Sequence, residues 1–322
     1  MNAVIRHTTS YIPEKVLTNR DLEQVVDTSD EWIVTRTGIR ERRIAQKDEC
    51  TSTMGAYAAK KLIEETNLDP KSIDLIILSS MTPDYLCPAS SAIIQNEIGA
   101  IHAGAFDLEA ACTGYIYGLS VSKAFIESGQ YETILLIASE KNSAFIDYTD
   151  RNTCILFGDG AGASLIQKGG QGLHILSSDL GSSGSESSLI TIPAGGSRSP
   201  FGNKQDHFLQ MNGREVFKHA VRRMEESMHT CIQKCNLSAQ DIRWLVPHQA
   251  NLRIIETLAK RFGIPMEQVV VTIDRYANTS SATIPIALDH LLQKDSVITN
   301  DYILLTAIGA GLVWGSTLLQ KI

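Results

Sequence analysis

Disulfide chemistry, membrane insertion and nucleic-acid binding all lack the residues they need in this sequence. Six cysteines occur in 322 residues and no two form a CxxC pair, so neither a disulfide framework nor a zinc ribbon is supported. Cys231 and Cys235 stand four apart with no His/Cys set around them, as neighbours on one helix face. No apolar run reaches the length of a membrane span, and the opening MNAVIRHTTSYIP has no apolar signal core. A cytoplasmic protein with reduced thiols and no membrane partner is therefore expected. Basic residues are fewer than acidic ones, 29 against 36, for a net charge of −7, which argues against a nucleic-acid partner. Two glycine-rich stretches, FGDGAGA (157–163) and IGAGLVWG (308–315), match neither GxxxxGK[ST] nor GxGxxG followed by a helix and an acidic residue. Glycine there is read instead as allowing close backbone approach.

What is present is enough apolar residue for a large core, 43% hydrophobic against 20% charged, and two short apolar runs of the buried-strand kind, SIDLIILSS (72–80) and ETILLIAS (132–139). Residues 169–212, rich in Gly and Ser, read as a connector and surface loops, and a long amphipathic helix is expected from Gly213 to about Cys235. The strongest structural signal is a repeat. NLDPKSIDLIILSS from Asn67 returns as NLSAQDIRWLVPHQ from Asn236, and ETILL at Glu132 returns as DYILL at Asp301, both 169 residues on. In the same register Cys112 falls opposite Ser281. GASLIQK from Gly162 matches GSTLLQK from Gly315 at a shift of 153, so the first half carries an insertion of about 16 residues, assigned to the polar stretch containing Arg151. Two similar βα halves predict a duplicated α/β fold that brings equivalent helix starts to one site, where α/β sheets usually bind ligands.

Three residues carry chemistry. Cys112 in FDLEAACTGYIYGL follows a strand and opens a helix, where unpaired N–H groups and the helix dipole favour thiolate. That setting suits a nucleophile, against the alternative of a packed thiol. His248 in LVPHQAN lies between a buried strand and a helix, placed to act as well as to pack. Asn278 in RYANTSSAT is either an N-cap or a fixed amide donor toward the same site.

The motifs EAACTGY, FGDGAGA, PHQANLRI, YANTSSATIPIAL and GAGLVWG, in this order, resemble β-ketoacyl-[acyl carrier protein] synthase III of the thiolase superfamily, from DTSDEWIVTRTGI onward. The resemblance implies a thiolase-like duplicated five-layer αβαβα sandwich. Its halves would be 1–170, with the cysteine and the insertion that meets CoA, and 171–322, with the histidine and asparagine. A homodimer is implied as well. Cys112, its pKa lowered by the helix start, would take the acyl group of an acyl-CoA primer. His248 and Asn278 would bond the thioester oxygen of malonyl-[acyl carrier protein] and stabilise the enolate formed as CO2 leaves. The backbone N–H groups of Cys112 and Ala310 would form a second oxyanion hole. No metal or redox cofactor is called for. Ala310 replaces the middle glycine of the family's usual GGG.

On the substrate side, the resemblance implies that Trp32 stacks on the adenine of CoA with Arg151 on the other face. Arg36 would meet the phosphates, and Gly213 and Asn251 the pantetheine arm. Gln249, Arg253, Lys218, Lys260 and Arg261 would dock the acidic carrier protein. Cys87 in YLCP falls where the family closes the acyl pocket from the partner subunit. A residue smaller than an aromatic leaves room there for branched or longer primers. Two other readings stand beside this one: a same-fold condensing enzyme of secondary metabolism using another thioester or acceptor, and a non-enzymatic scaffold, which the presence of all three reactive residues opposes. A degradative thiolase would need a second cysteine in IGAGLVWG, which has none.

Overall fold

The computed structural model describes residues 2–322. Nine strands, labelled in chain order, form the main sheet: β1 Ala3–Tyr11, β2 Leu75–Ser79, β3 Gly104–Leu108, β4 Thr133–Glu140, β5 Gly160–Lys168, β6 Leu173–Ser182, β7 Ile242–Pro247, β8 Tyr302–Gly309 and β9 Val313–Lys321. The helices of two turns or more are α1 Asp30–Thr37, α2 Thr51–Thr66, α3 Ser90–Glu97, α4 Gly114–Glu127, α5 Gly213–Gln233, α6 Leu252–Phe262 and α7 Thr283–Leu292.

Strand order is β7-β8-β9-β6-β1-β5-β4-β2-β3, and it is a doubled pattern. Outward from the centre, β1-β5-β4-β2-β3 and β6-β9-β8-β7 run in the same sequence of directions: antiparallel joins up to β4 and β8, parallel ones beyond. The second half lacks only a fifth full strand, represented by a parallel bridge between Leu245 and Val269. The halves meet where Val4 and Ile5 pair with His174 and Leu173.

The register of the repeat persists in the backbone. β4 and β8 begin and end 169 residues apart, as do the short 3-10 turns Pro70–Ser72 and Ala239–Asp241. Asn67 and Asn236, both at positive φ after a helix, share the shift; Asn tolerates that conformation better than most residues. β5 and β9 begin and end 153 apart, so the insertion lies between β4 and β5, where the sequence placed it.

Alternation along the strands makes the layers. Ile134, Leu136 and Ala138 of β4 and Ile303, Leu305 and Ala307 of β8 point into one cluster with Tyr115, Ile116 and Leu119 of α4 and Ile284, Leu288 and Leu291 of α7. Leu135 and Ile137 face α2 instead. Leu304 and Ile308 face α5 and α6. Helices, half-sheet, helices, half-sheet, helices is a five-layer αβαβα sandwich, with α4 and α7 in the middle. That burial explains why α7 reads as apolar nearly all round.

One sequence expectation fails here. Residues 173–182 are not connector but β6, hydrogen-bonded to β9 and β1 with Leu173 and Ile175 buried. Small and polar residues after Ile175 disguise its alternation. Residues 183–212 are mostly irregular, with 3-10 turns at Gly184–Leu189 and Lys204–His207 and two-residue strands at Ile190–Thr191 and Gln210–Met211.

Candidate active site

Each half delivers its key residue by the same backbone device. Ala111 and Ser280, 169 residues apart, both have positive φ (45° and 52°) and each opens a 3-10 turn running directly into α4 or α7. A non-glycine residue there is strained, and the sharp turn sets Cys112 and Ser281 at the two helix starts. The twins then diverge. Ser281 Oγ donates to Glu140 Oε1 at 2.7 Å, and that buried carboxyl also takes the Thr82 and Ser80 hydroxyls and Met81 N–H. Burial holds the Glu140 pKa above its ordinary value, opposed by these donors. Glu140 ends β4, and its twin at the end of β8 is Gly309. A Cβ on Gly309 would stand 2.7 Å from the Cys112 nitrogen. Where one half fills the helix start with a carboxylate, the other leaves it open.

The opening is a small, apolar-walled cavity of about 50 Å³. Its polar lining is Cys112 from the first half and His248 and Asn278 from the second, with Gly309 and Ala310 beside them. Cys112 is 9% exposed, its thiol pointing to Ser280 Oγ at 3.5 Å. Burial, reinforced by nearby Glu140 and opposed by Ser280, pushes this thiol up to about 12. The expected lowering by the helix start is thus not met in the free protein, because desolvation of a thiolate outweighs it. Cys112 rests as a thiol and needs a proton acceptor. Among the described residues His248 is the one other titratable group in the cavity lining. Burial lowers its pKa to about 3, so it is neutral at rest. Its backbone N–H is fixed to Thr306 O, and Nδ1 lies 2.7 Å from Thr283 Oγ1.

Asn278 combines both readings weighed for it. Its Oδ1 accepts Ser280 N–H at 2.8 Å, which caps the turn and fixes the amide orientation, because a backbone N–H can only donate. Nδ2 donates to no protein group among the described residues. Its main chain is strapped by Leu156 and Gly158, and a Cβ on Gly158 would stand 2.7 Å from Tyr276 O. That is the close approach expected of the FGDGAGA stretch. Among the described residues, no acceptor takes the N–H of Cys112 or Ala310. Ala310 is not at positive φ, whereas Gly311 is, at 139°, so alanine in the middle of GAG is unstrained.

A wider vestibule of about 1130 Å³ opens from the cavity, sharing Phe157, Met211 and Asn278 with it. Trp32, Arg36, Gly213, Lys218, Asn251 and Arg253 line it. The guanidinium groups of Arg36 and Arg151 lie 4.7 and 4.4 Å from the Trp32 ring, and Arg151 is also 3.5 Å from Asp27. Asn251 caps α6 through Arg253 N–H and donates to Arg36 O, tying α6 to α1.

The structure corrects one of the docking residues. Gln249 is 1% exposed, donating to Pro247 O and Val270 O and accepting from Thr272 and Ile273 N–H; it locks the His248 loop and meets no partner. Lys260 and Arg261 are exposed in the last turn of α6, on the helix that carries Arg253 and beyond the vestibule lining, and Arg261 pairs with Glu225. Arg214, which the sequence reading passed over, lines the vestibule one turn before Lys218; their i, i+4 spacing on an amphipathic helix was the available signal. Cys87 is exposed and lies outside its own chain's cavity.

Comparison with known proteins places the chain in a family. The family model described as 3-oxoacyl-[acyl-carrier-protein (ACP)] synthase III matches residues 106–184, and that of its C terminal matches 232–321. The β-ketoacyl-[acyl-carrier-protein] synthase III of Chlamydia caviae is 52% identical over 325 residues, covering 99% of this chain and 97% of that one. The chain belongs to the β-ketoacyl-[acyl-carrier-protein] synthase III family. The synthase III of Caldanaerobacter subterraneus is 45% identical, covering 99% and 97%. The 3-oxoacyl-[acyl-carrier-protein] synthase III structure from Aquifex aeolicus VF5 superposes with a TM-score of 0.92 at 43% identity, covering 99% of this chain and all of that one. This is a thiolase-superfamily condensing enzyme of fatty-acid biosynthesis, an acyltransferase.

Proposed function

We propose that an acyl-CoA primer acylates Cys112 and that the acyl group is then condensed with malonyl-[acyl carrier protein]. The products are 3-oxoacyl-[acyl carrier protein], CO2 and CoA. The observation that carries this is the cavity itself: a thiol, an imidazole and an uncommitted amide nitrogen are the polar side chains in an otherwise apolar lining. Asn278 Nδ2 and His248 Nε2 stabilise the enolate oxygen as CO2 leaves, and the N–H groups of Cys112 and Ala310 stabilise the tetrahedral oxyanion on the acyl-cysteine. The same dry walls strengthen these bonds and keep water from the acyl-enzyme.

The vestibule supports the substrate side of this reading. Trp32 and Arg151 take the adenine of CoA between them, so Arg151 lifts from the ring on binding. Arg36 meets the phosphates, and Gly213 and Asn251 flank the pantetheine arm. Lys218, Arg253, Lys260, Arg261 and, newly, Arg214 receive the acidic carrier protein. The protein works in the cytoplasm as a homodimer of chains with halves 1–170 and 171–322, each subunit's Cys87 loop closing its partner's acyl pocket. Cysteine there leaves room for primers longer or more branched than acetyl.

Mass spectrometry after exposure to a mixture of acyl-CoA primers tests the reading, followed by product analysis with malonyl-[acyl carrier protein]. The expected result is one acyl group on Cys112, drawn from several primers, and none on Cys112→Ala. An unlabelled Cys112 with every primer sinks the mechanism, and labelling by acetyl alone sinks the account of Cys87.

A further inference from the structure

Thr283 holds a position that neither the chemistry nor the packing described so far requires. Its hydroxyl lies 3.0 Å from Ser280 O and 2.7 Å from His248 Nδ1. A hydroxyl has one proton and a carbonyl oxygen only accepts. If the proton turned to Nδ1, two acceptor oxygens would face each other at 3.0 Å with nothing between them, in a site too dry to screen the repulsion. If it turns to Ser280 O, every group is satisfied: Thr283 donates to the carbonyl and accepts Nδ1–H. Ser280 O is itself fixed, since it also accepts the Thr283 backbone N–H, while Ser280 N–H is held by Asn278 Oδ1. The two second-half residues of the cavity are thus oriented from one turn, Asn278 through the Ser280 N–H and His248 through the Ser280 carbonyl and Thr283.

We propose that Thr283 is the positioning residue that locks His248 in its Nδ1–H tautomer, leaving Nε2 bare in the free enzyme as the proton acceptor for Cys112. The inference rests on the proposed reaction and adds the course of its protons. In acylation the Cys112 proton passes to Nε2, the sulfur–acyl bond forms, the CoA sulfur–acyl bond breaks, and the proton passes from Nε2 to the departing CoA thiolate. In the second half-reaction the negative malonyl carboxylate beside the ring favours imidazolium, so Nε2 takes a proton delivered through the vestibule and, as N–H, donates to the enolate oxygen while CO2 leaves. When the carbanion has attacked and Cys112 departs as thiolate, that proton returns it to the thiol. One solvent proton is consumed per turnover, as the conversion of malonyl carboxylate to CO2 and of the CoA thioester to free CoA requires. Throughout, Nδ1–H stays on Thr283, so both the neutral and the protonated ring keep one orientation.

The ring nitrogens can be read directly by 15N NMR of histidine-labelled enzyme, with His248→Gln assigning the signal. The expected free state has pyrrole-type Nδ1 and pyridine-type Nε2, and the reverse assignment overturns the proposal. Thr283→Ser keeps that pattern and the wild-type rate. Thr283→Val removes the acceptor, moves the proton toward Nε2, and slows single-turnover acylation by acyl-CoA tenfold to a hundredfold (about 1.4 to 2.7 kcal/mol), with KM for the acyl-CoA unchanged. A Val variant acylating at the wild-type rate overturns the proposal. Should that variant not fold, the wild-type spectrum and the Ser variant decide it. Failure of the reaction reading is separate, because it appears as absence of acyl transfer in the wild type while the tautomer is still observed.

Discussion

His248 is the residue whose environment most departs from what its position in the chain foretells. A strand-to-helix loop placed it at the site, but only the packed structure reveals a wholly desolvated imidazole with a pKa near 3. The unfolded chain titrates near 6.5, so between these values the unfolded state binds one proton more than the native state. Stability from this group is complete above pH 6.5 and is lost as pH falls toward 3, by about 1.4 kcal/mol per pH unit. Urea unfolding of wild type and His248→Gln at pH 7 and pH 5 measures it. The variant is expected to lose about 2 kcal/mol less than wild type on that acidification, and equal losses would refute the burial argument. Cys112 teaches the same lesson with the opposite sign. Its place at a helix start was readable, and its protonation state was not, because desolvation depends on residues more than a hundred positions away. Gln249 looked like a surface contact for the same reason: its four partners include Val270, Thr272 and Ile273, which no local pattern links to it.

At the scale of elements, the repeat made most of the fold legible, and the one lost strand was recoverable from it. If the first half opens with β1, the second must open with an equivalent, and β6 is that strand, hidden by Ser177, Ser178 and Asp179. The closing hairpin β8–β9 shows what the repeat leaves unsaid. Its twin β4–β5 carries the long insertion, so the short turn Ala310–Leu312 has no counterpart, and its glycines must be understood one by one. Gly309→Ala would drive a Cβ to 2.7 Å from Cys112 N and 3.0 Å from the Ala111 side chain, displacing the nucleophile and its oxyanion donor together. Acylation is expected to fall at least tenfold, consistent with losing one well-placed donor. Ala310→Gly relieves no strain, because Ala310 does not have positive φ. It should leave acylation unchanged and cost about 0.4–1 kcal/mol through the freer unfolded chain. Mass-spectrometric acylation rates and thermal unfolding of the pair separate the two roles; equal behaviour would contradict them.

The whole molecule carries one edge that a single chain leaves bare. β3 ends the sheet with β2 as its only neighbour among the described residues, and it reads GAFDL, without the lysine or proline that usually guards an edge. Its one charge, Asp107, is turned to the backbone N–H groups of Ser90 and Ser91 at the start of α3, so it does not repel an approaching strand. Exposed apolar side chains accompany the edge in sequence, with Ile101 at 61%, Tyr85 at 61% and Leu86 at 86%. An open strand edge with exposed aromatic and aliphatic groups calls for a cover, and in the proposed homodimer a second copy of this chain would supply a self-complementary one, β3 against β3. A stable interface of that kind needs about 800 Å² from each partner, to which Tyr85 and Leu86 would contribute from the loop that bears Cys87. Analytical ultracentrifugation is expected to find the wild type dimeric at micromolar concentration. Leu86→Asp should shift it toward monomer and slow Cys112 acylation in step, because the loop bearing Cys87 would then be withdrawn from the partner's pocket. A wild type that sediments as a monomer, or a monomeric variant acylated at the wild-type rate, would remove the partner subunit from the acyl site.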